Sequence, residues 1–471
     1  MFETIKLFYK ILMRMITELF LIYLVAATFT GGAKDLFAAE IPVEAAIMPA
    51  ESDTALLWEA QDYAQGLPEL NDSSTLADYL RYAAANNPGL EAAFNRWRQA
   101  AEKIPQARSL PDPRLTYSYY IREVETRVGP QRQRLGLAQT FPFFGKLSLR
   151  EKVAVHNAEA ERQRYQAARN KLFYRVKRAW YEYQFLGRAI EINEENLDLL
   201  THLESVVRTK YTAGAANYSD LIKAQVELAR FEDRLNSSRD RLKPVAAELN
   251  AALNRDLEAP PPPTGRIDMQ HITPTGEQLT TLLRDGNPDL KALDLTTRGS
   301  RAAVDLARKD FYPDFTLGLD YVETAGALMP GTPDDGKNPL MAMVSINLPL
   351  WRGKYRAAER EAGARTEAAV QERREKENVL LARLQTALFN FRDARRKIEL
   401  YDSALLPKAE QSLGAVQQAF VVGNTDFLDL IDAQRTLLEF QLVRERALVD
   451  LANSLAEIEM LVGVSISSPA H

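Results

Sequence analysis

The chain has 471 residues, with 59 basic and 64 acidic side chains, a formal net charge of −5 and no cysteine. The near balance of charge gives no reason to expect a nucleic-acid or anionic-membrane surface. The lack of cysteine argues against disulfides, zinc–thiolate sites, thiol catalysis and a lipid anchor on a cysteine, so we expect any membrane attachment to come from the fold.

The first 39 residues have the layout of a secretory signal. Basic residues precede an uncharged run over 19–30, and small residues follow it. The run is shorter than the roughly 20 residues that span a bilayer, so we favour export over a membrane-anchoring helix. Cleavage is expected near residue 33 or 39, which leaves an N-terminal periplasmic segment over 40–74.

Four short segments alternate between apolar and polar residues, at about 114–122, 133–143, 314–322 and 341–350. A period of two with one apolar face indicates strands. About ten residues per strand, with aromatic residues near the ends, is typical of a tilted membrane crossing. Soluble hairpins packed on helices are the alternative.

Long helices are predicted beside these strands. Residues 146–211 contain no proline and a single glycine, Gly187, so one helix could extend about 100 Å. Residues 354–422 repeat this pattern with one proline, Pro407. Apolar residues at spacings of four and three indicate coiled-coil packing. Four stretches of about half that length follow the same pattern and could stack in pairs beside the long helices: 75–108, 220–254, 276–310 and 427–462.

The two halves of the chain carry the same motifs. Asn87–Leu90 recurs as Asn287–Leu290, and YTAGAANYSDLIKAQ from Tyr211 aligns with FVVGNTDFLDLIDAQ from Phe420. This recurrence indicates a tandem duplication. Its predicted parts are a first repeat over 75–258, a proline-rich linker over 259–275, a second repeat over 276–463 and a C-terminal tail over 464–471.

Four strands are too few to close a channel. An open sheet edge in lipid would leave backbone donors and acceptors unpaired, at several kcal/mol for each group. Closure would therefore need other copies of the chain, and two, three or four copies would each give an even number of strands.

The order of helix, strand pair, long helix, turn and short helix, taken twice after a signal, resembles the TolC-like outer-membrane efflux protein family from about residue 70 onward. The segments FPFFGK over 141–146 and LPLWRGK over 348–354 are similar to those of members paired with resistance-nodulation-division pumps. The resemblance implies a mainly α fold with a trimeric 12-stranded transmembrane β-barrel, four strands from each protomer, continued by a long α-helical coiled-coil tunnel.

The resemblance also implies a function and partners. Members are passive outer-membrane channels of tripartite efflux systems, which assemble as homotrimers in outer-membrane lipid with a periplasmic adaptor and an inner-membrane pump of the resistance-nodulation-division type. The exported substrate could be a drug, an organic toxicant or a metal ion. No nucleic-acid partner is expected.

Matching motif to motif, the resemblance assigns three groups of site residues. The tunnel constriction would be Asp429 and Asp432. The periplasmic tip and adaptor contact would be Gly214, Ser219, Asp220, Gly423 and Asp426. The barrel-to-tunnel junctions would be Pro142, Gly145, Pro349 and Gly353.

A simpler interpretation of the aspartates is that they cap helix starts, where an acid favours the exposed amides. We favour capping for Asp220 and an acidic ring for Asp429 with Asp432. Phe420 and Thr425 stand where family members have a tyrosine and an arginine that hold the closed tip. The closed state of this chain must therefore be held by other residues or held less tightly.

Two other classes of function were weighed. An enzyme is not expected, because the four histidines are scattered, Gly145-Lys146 lacks the earlier glycine of a phosphate loop, and no nucleophile and base have a suitable spacing. No cofactor or metal site is expected. A periplasmic coiled-coil adaptor or scaffold without a membrane barrel is the alternative function, but it would not need four amphipathic strands.

Overall fold

The computed structural model describes residues 70–71, 73–214, 217–259, 267, 271–272 and 274–468. The predicted signal segment 1–39 and nearly all of the segment 40–74 lie outside these residues. The described residues are mostly helical, with a four-stranded antiparallel sheet and a short two-stranded one. In the described part of the chain, no helix is both long enough and apolar enough to cross a membrane.

The helices follow the predicted pattern of long and short stretches, and α4 alone has 67 residues. Proline is absent from α4, so each backbone N–H after the first turn can bond to the carbonyl four residues earlier. The helices are α1 (Leu76–Asn86), α2 (Pro88–Ala101), α3 (Lys103–Arg108), α4 (Lys146–Thr212), α5 (Tyr218–Leu253), α6 (Gly276–Gly286), α7 (Pro288–Lys309), α8 (Arg352–Leu400), α9 (Leu406–Val421) and α10 (Phe427–Val462).

The predicted continuous helices over 75–108 and 276–310 are wrong, because each is interrupted at an Asn-Pro pair. A proline disfavours helical backbone in the residue before it, and both asparagines are extended. The Asn87 side chain accepts a hydrogen bond from the N–H of Leu90 at 3.0 Å and so caps α2. Asn287 does the same for α7.

The strands lie close to the predicted segments. They are β1 (Arg114–Val124), β2 (Gln131–Phe141), β3 (His271–Ile272), β4 (Phe315–Thr324), β5 (Leu340–Ile346) and β6 (Ser467–Ser468). The sheet order is β1-β2-β4-β5, and all neighbours are antiparallel. The predicted end of the last long strand near 350 is wrong, since β5 ends at Ile346. Pro349 lacks an N–H, and the N–H of Leu350 bonds to the carbonyl of Leu348 in a turn.

The register separates two faces of this sheet. One row across all four strands is apolar and aromatic: Tyr117, Leu135, Tyr321 and Leu340. The adjacent row, on the other face, is small or polar in the first three strands, with Thr116, Gly136 and Asp320, and ends at Met341 in β5. A Cβ on Gly136 would lie 2.2 Å from Oδ1 of Asp320, so only glycine leaves room for the bond of 2.5 Å between Asp320 and Arg134. The sheet therefore has one apolar face across all four strands, and an opposite face that is polar or small over β1, β2 and β4 but carries Met341 and Met343 in β5.

The second long helix contains a wider turn. A π-helical segment, Tyr401–Leu405, lies between α8 and α9, where the sequence predicts one regular helix over 354–422. Pro407 provides a physical reason, because it has no N–H to donate to the carbonyl of Ser403 four residues earlier. Arg444 of α10 binds Asp402 at 3.0 Å, which holds the π-helical segment against its neighbour.

The ends of α6 and α10 meet at two glycines. A Cβ on Gly286 would lie 2.4 Å from the backbone oxygen of Val462, and Gly463 has a φ of +80°. The Asn287 side chain donates to the carbonyl of Leu461 at 2.8 Å beside them. The start of the second half is therefore fixed to the last long helix by close backbone contact.

We expect Gly286→Ala to lower the apparent melting temperature of the purified protein, because the added Cβ meets backbone that cannot move aside. Overpacking of this kind costs about 1–3 kcal/mol. Gly363→Ala is the matched control in α8, where an added Cβ meets nothing within 4 Å. That change should stabilise the helix by about 0.5–1 kcal/mol. Thermal unfolding followed by circular dichroism in detergent measures both variants. Equal melting temperatures would contradict the close backbone contact at Gly286.

Candidate functional site

Two helical turns lie side by side at one end of the four helices α4, α5, α9 and α10. The first turn joins α4 to α5 and the second joins α9 to α10. Apolar side chains from all four helices form one buried cluster beneath them, including Val207, Leu221, Phe420 and Leu430. The turns that the sequence predicts as the tip are thus brought together within one chain.

Both turns use a glycine with a left-handed backbone. Gly214 has a φ of +75° and Gly423 a φ of +82°. An added Cβ would meet nothing within 4 Å at either position. The backbone angle, and not the space around it, therefore favours glycine at both helix ends.

The acidic residues of the second turn differ in their surroundings. Asp426 is the N-cap of α10, and its carboxylate accepts from the N–H of Asp429 at 3.0 Å. The carboxylate of Asp429 accepts a hydrogen bond from the Thr425 hydroxyl. Asp432, one turn further along α10, has a side chain that is 73% exposed. Asp426 thus caps α10, and Asp429 is hydrogen-bonded within the turn. The Asp432 side chain is exposed to solvent.

In the first turn, Asn217 is the N-cap of α5 and Ser219 and Asp220 lie in the first helical turn. The Asp220 carboxylate lies 3.8 Å from the ammonium of Lys223, which is at the outer limit of an ion pair. The N–H of Asp220 bonds to the backbone oxygen of Asn217 at 3.0 Å. The carboxylate of Asp220 is therefore placed at the amide end of α5, close to a basic neighbour.

Lys210 connects the two turns, and the sequence analysis missed it. Its ammonium donates to the carbonyl of Phe420 at 2.5 Å and lies 4.2 Å from the centroid of the Phe420 ring. A cation is favourable at the carbonyl end of a helix, here that of α9. A basic residue in the last turn of α4 was the available signal. Phe420, which lacks a tyrosine hydroxyl, is thus held through its carbonyl and its ring.

A second connection joins the same helices below the turns. Arg435 of α10 forms an ion pair with Glu227 of α5, and Arg230 binds the same carboxylate at 2.9 Å. The hydrogen bond from Arg435 lowers the pKa of Glu227, so this buried carboxylate stays ionised at neutral pH. Arg435 also lies 3.5 Å from Asp432. This guanidinium therefore stands between a buried carboxylate and an exposed one.

At the other end of α4, Pro142 follows β2 and Gly145 starts the helix with a φ of +85°. Lys146 is 3% exposed, and its ammonium donates to the Asp314 carboxylate at 2.8 Å and to the carbonyl of Tyr312 at 2.9 Å. The same oxygen of Asp314 accepts from the N–H of Phe143 at 2.8 Å. The Asp314 carboxylate thus binds both Lys146 and the backbone at the first junction, and Asp310 adds a longer ion pair to Lys146 at 3.7 Å.

The second junction is arranged differently. Pro349 lies between β5 and α8, but Gly353 is the second residue of α8 and is not among the glycines with positive φ. Lys354, which corresponds to Lys146 in the sequence repeat, is exposed. Trp351 before it is 79% exposed. Within one chain, the lysine of the first junction is buried in an ion pair, whereas the lysine of the second junction is exposed.

We expect Lys146→Met to lower the apparent melting temperature, because it leaves the Asp314 carboxylate partly buried without its cation, at a cost of about 1–3 kcal/mol. Lys354→Met removes the corresponding exposed ammonium and should change stability by less than about 0.5 kcal/mol. Thermal unfolding of the two detergent-purified variants compares them directly. If both variants lost the same melting temperature, the buried ion pair of Lys146 would not contribute to stability.

We expect Lys210→Met to speed hydrogen exchange of backbone amides in the α9–α10 turn. The lost bond is worth about 1 kcal/mol, which corresponds to a roughly fivefold rise in local opening. Lys223→Met, which removes the distant partner of Asp220, is the control. Hydrogen-exchange mass spectrometry of peptides over 413–430 measures the effect, and unchanged exchange in Lys210→Met would rule out the connection.

A family model described as "Outer membrane efflux protein" matches residues 80–255 and 279–464. CzcC of Cupriavidus metallidurans, a cobalt-zinc-cadmium resistance protein, is 24% identical over 369 residues, which are 78% of this chain and 84% of CzcC. Outer membrane protein TolC of Vibrio cholerae is 22% identical over 420 residues, 83% of this chain and 91% of TolC.

A solved structure of CusC, described in terms of folding and transmembrane channel formation, superposes with a TM-score of 0.72. The two chains are 17% identical over 83% of this chain and 92% of CusC. At this identity the likeness concerns the fold.

Proposed function

This chain belongs to the outer membrane efflux protein family, and from that membership we propose that it is the outer-membrane channel of a tripartite efflux system. The channel is passive: a periplasmic adaptor and an inner-membrane pump of the resistance-nodulation-division type supply the drive. The relatives are channel proteins and not enzymes, and the proposed role requires no catalytic residue or cofactor.

The observation that carries this proposal is the pairing of the sheet. In the described part of the chain, β1 and β5 each pair on one side only, and the apolar row beside them is exposed, with Tyr117 61% and Leu340 64% exposed. An exposed edge next to an apolar face favours further strands and an apolar surrounding. Since β1 and β5 run in opposite directions, β5 of one copy can continue the antiparallel order with β1 of the next.

Three copies would close a 12-stranded barrel with the apolar rows toward lipid and the polar rows toward the lumen. The number three follows from the family and not from the geometry of one chain. We assign the repeats to 75–258 and 276–463, with the signal peptide over 1–39 directing export to the outer membrane. Pro142, Gly145, Pro349 and Gly353 would mark the passage from barrel to helical tunnel.

The tip would form the inner end of the tunnel. Asp429 and Asp432 from three copies would surround its constriction, while Gly214, Ser219, Asp220, Gly423 and Asp426 would lie on the surface that meets the adaptor. Exposed apolar residues beside them, such as Val421 and Val422 at 70% each, suit a protein partner. The resistance named for CzcC makes divalent metal ions one candidate cargo, next to drugs and organic toxicants.

We expect the protein extracted unheated from outer membranes to have about three times the mature chain mass and to dissociate on boiling, because the barrel closes only between copies. Native mass spectrometry and a heat-modifiability gel measure this. A water-soluble monomer would contradict the duct and would support a periplasmic coiled-coil scaffold.

We expect the double change Asp429→Asn, Asp432→Asn to lower the preference of the reconstituted channel for cations. Removing carboxylates from a narrow ring removes the field that concentrates cations there. Reversal potentials in a KCl gradient across a planar bilayer measure the change. Asp426→Asn, which keeps a capping side chain, is the control, and an equal shift in that variant would argue against a specific ring.

A further inference from the structure

The Arg435 guanidinium is shared unequally between two carboxylates. Glu227 approaches it from α5, and Asp432 lies one turn before it on the same helix, 3.5 Å away. The two acids differ in burial: the side chain of Glu227 is 9% exposed and that of Asp432 is 73% exposed.

Physical chemistry favours the buried partner. A charge pair that is shielded from water is weakened less by solvent and salt than an exposed one, and turning Arg435 away would leave the buried Glu227 with Arg230 alone. An exposed pair three residues apart on a helix is worth only a few tenths of a kcal/mol. Arg435 is therefore committed to Glu227, and the charge of Asp432 is left largely uncompensated.

We propose that Glu227 is a positioning residue that sets the charge of the constriction by keeping Arg435 engaged in the shorter ion pair, so that Arg435, 3.5 Å from Asp432, compensates that carboxylate only in part. This inference rests on the proposed function, in which Asp432 lines the inner end of the channel. Without Glu227, Arg435 is free to turn toward Asp432 and neutralise it. The charge of the channel thus depends on a buried residue of the neighbouring hairpin that itself lies outside the predicted acidic pair.

The experiment compares cation over anion permeability, from reversal potentials in a KCl gradient, for variants of the full-length protein in planar bilayers. Glu227→Gln should lower the ratio toward that of Asp432→Asn. In the Asp432→Asn background, Glu227→Gln should cause no further drop, because the carboxylate beside Arg435 is already gone. Arg435→Gln should leave the ratio close to the wild-type value.

Glu204→Gln is the matched control. Glu204 lies on α4 of the same hairpin, its side chain is 11% exposed, and it binds Arg208 of its own helix at 2.6 Å and Gln225 at 3.3 Å. It has no contact with Arg435 among the hydrogen bonds and ion pairs of the described residues. Its loss removes a similar buried charge, and the ratio should stay near the wild-type value.

The outcomes separate this inference from the proposed function. A wild-type protein that forms no channel would remove the proposed function itself. A cation-selective wild-type channel in which Glu227→Gln changes nothing, or changes no more than Glu204→Gln, would overturn only the role of Glu227. So would a further drop in the Asp432→Asn background. If Glu227→Gln does not assemble, Glu227→Asp replaces it: the shortened carboxylate draws back from Arg435, so an intermediate ratio is expected and a wild-type ratio would contradict the proposal.

Discussion

The backbone groups along the two outer strands constrain this protein more than any side chain does. A strand in water can leave one side unpaired, but in hydrocarbon every free N–H and C=O costs several kcal/mol. In the described residues, the four strands have a continuous apolar face and two edges without a further strand, which the proposed barrel would complete. In the proposed assembly, the remaining features follow from completing that fragment, because the helices must leave the barrel at matching positions in every copy.

The two junctions between the strands and the long helices differ in whether their lysine forms an ion pair within the chain. Lys146 is buried against Asp314, so the first half is locked to the second before any neighbour is present. Its counterpart Lys354 is exposed, in the first turn of α8. Two related sequences thus have different surroundings. The ion pair adds rigidity where the chain contacts itself, and Lys354 does not form the corresponding pair in the second half.

Local pattern predicted the element types well and missed what distant residues do. The period-two segments became strands, and the proline-free run after Gly145 became α4, because these signals depend on near neighbours. The helix breaks at Asn87 and Asn287 do have a local signal, because an asparagine before a proline is typical of a helix start. The repeat of this pair in both halves drew attention away from that meaning. The bond between Lys146 and Asp314 could not be predicted, since 168 positions separate the two residues and only packing brings them together.

The same reasoning applies at the tip. The aspartates stood out because of the motif around them, but nothing near Arg435 in the sequence indicates that its stronger partner is Glu227 on another helix. Likewise, the sequence shows that Phe420 lacks a hydroxyl. It does not show that the ammonium of Lys210 binds the Phe420 carbonyl, because every residue has a carbonyl. Side-chain identity is visible in a sequence, but backbone acceptors and tertiary partners are not.

The π-helical segment Tyr401–Leu405 is also related to a difference in length between the two halves of the chain. The two halves are offset by 208 positions at Gly145 and Gly353, since 353 − 145 = 208, and by 209 at Tyr211 and Phe420, since 420 − 211 = 209. Between these aligned positions, the second half is therefore one residue longer than the first. In a regular α-helix, one added residue would turn everything after it by about 100°. A π turn takes up one residue locally. The π-helical segment therefore accommodates the extra residue without turning the acidic hairpin beyond it.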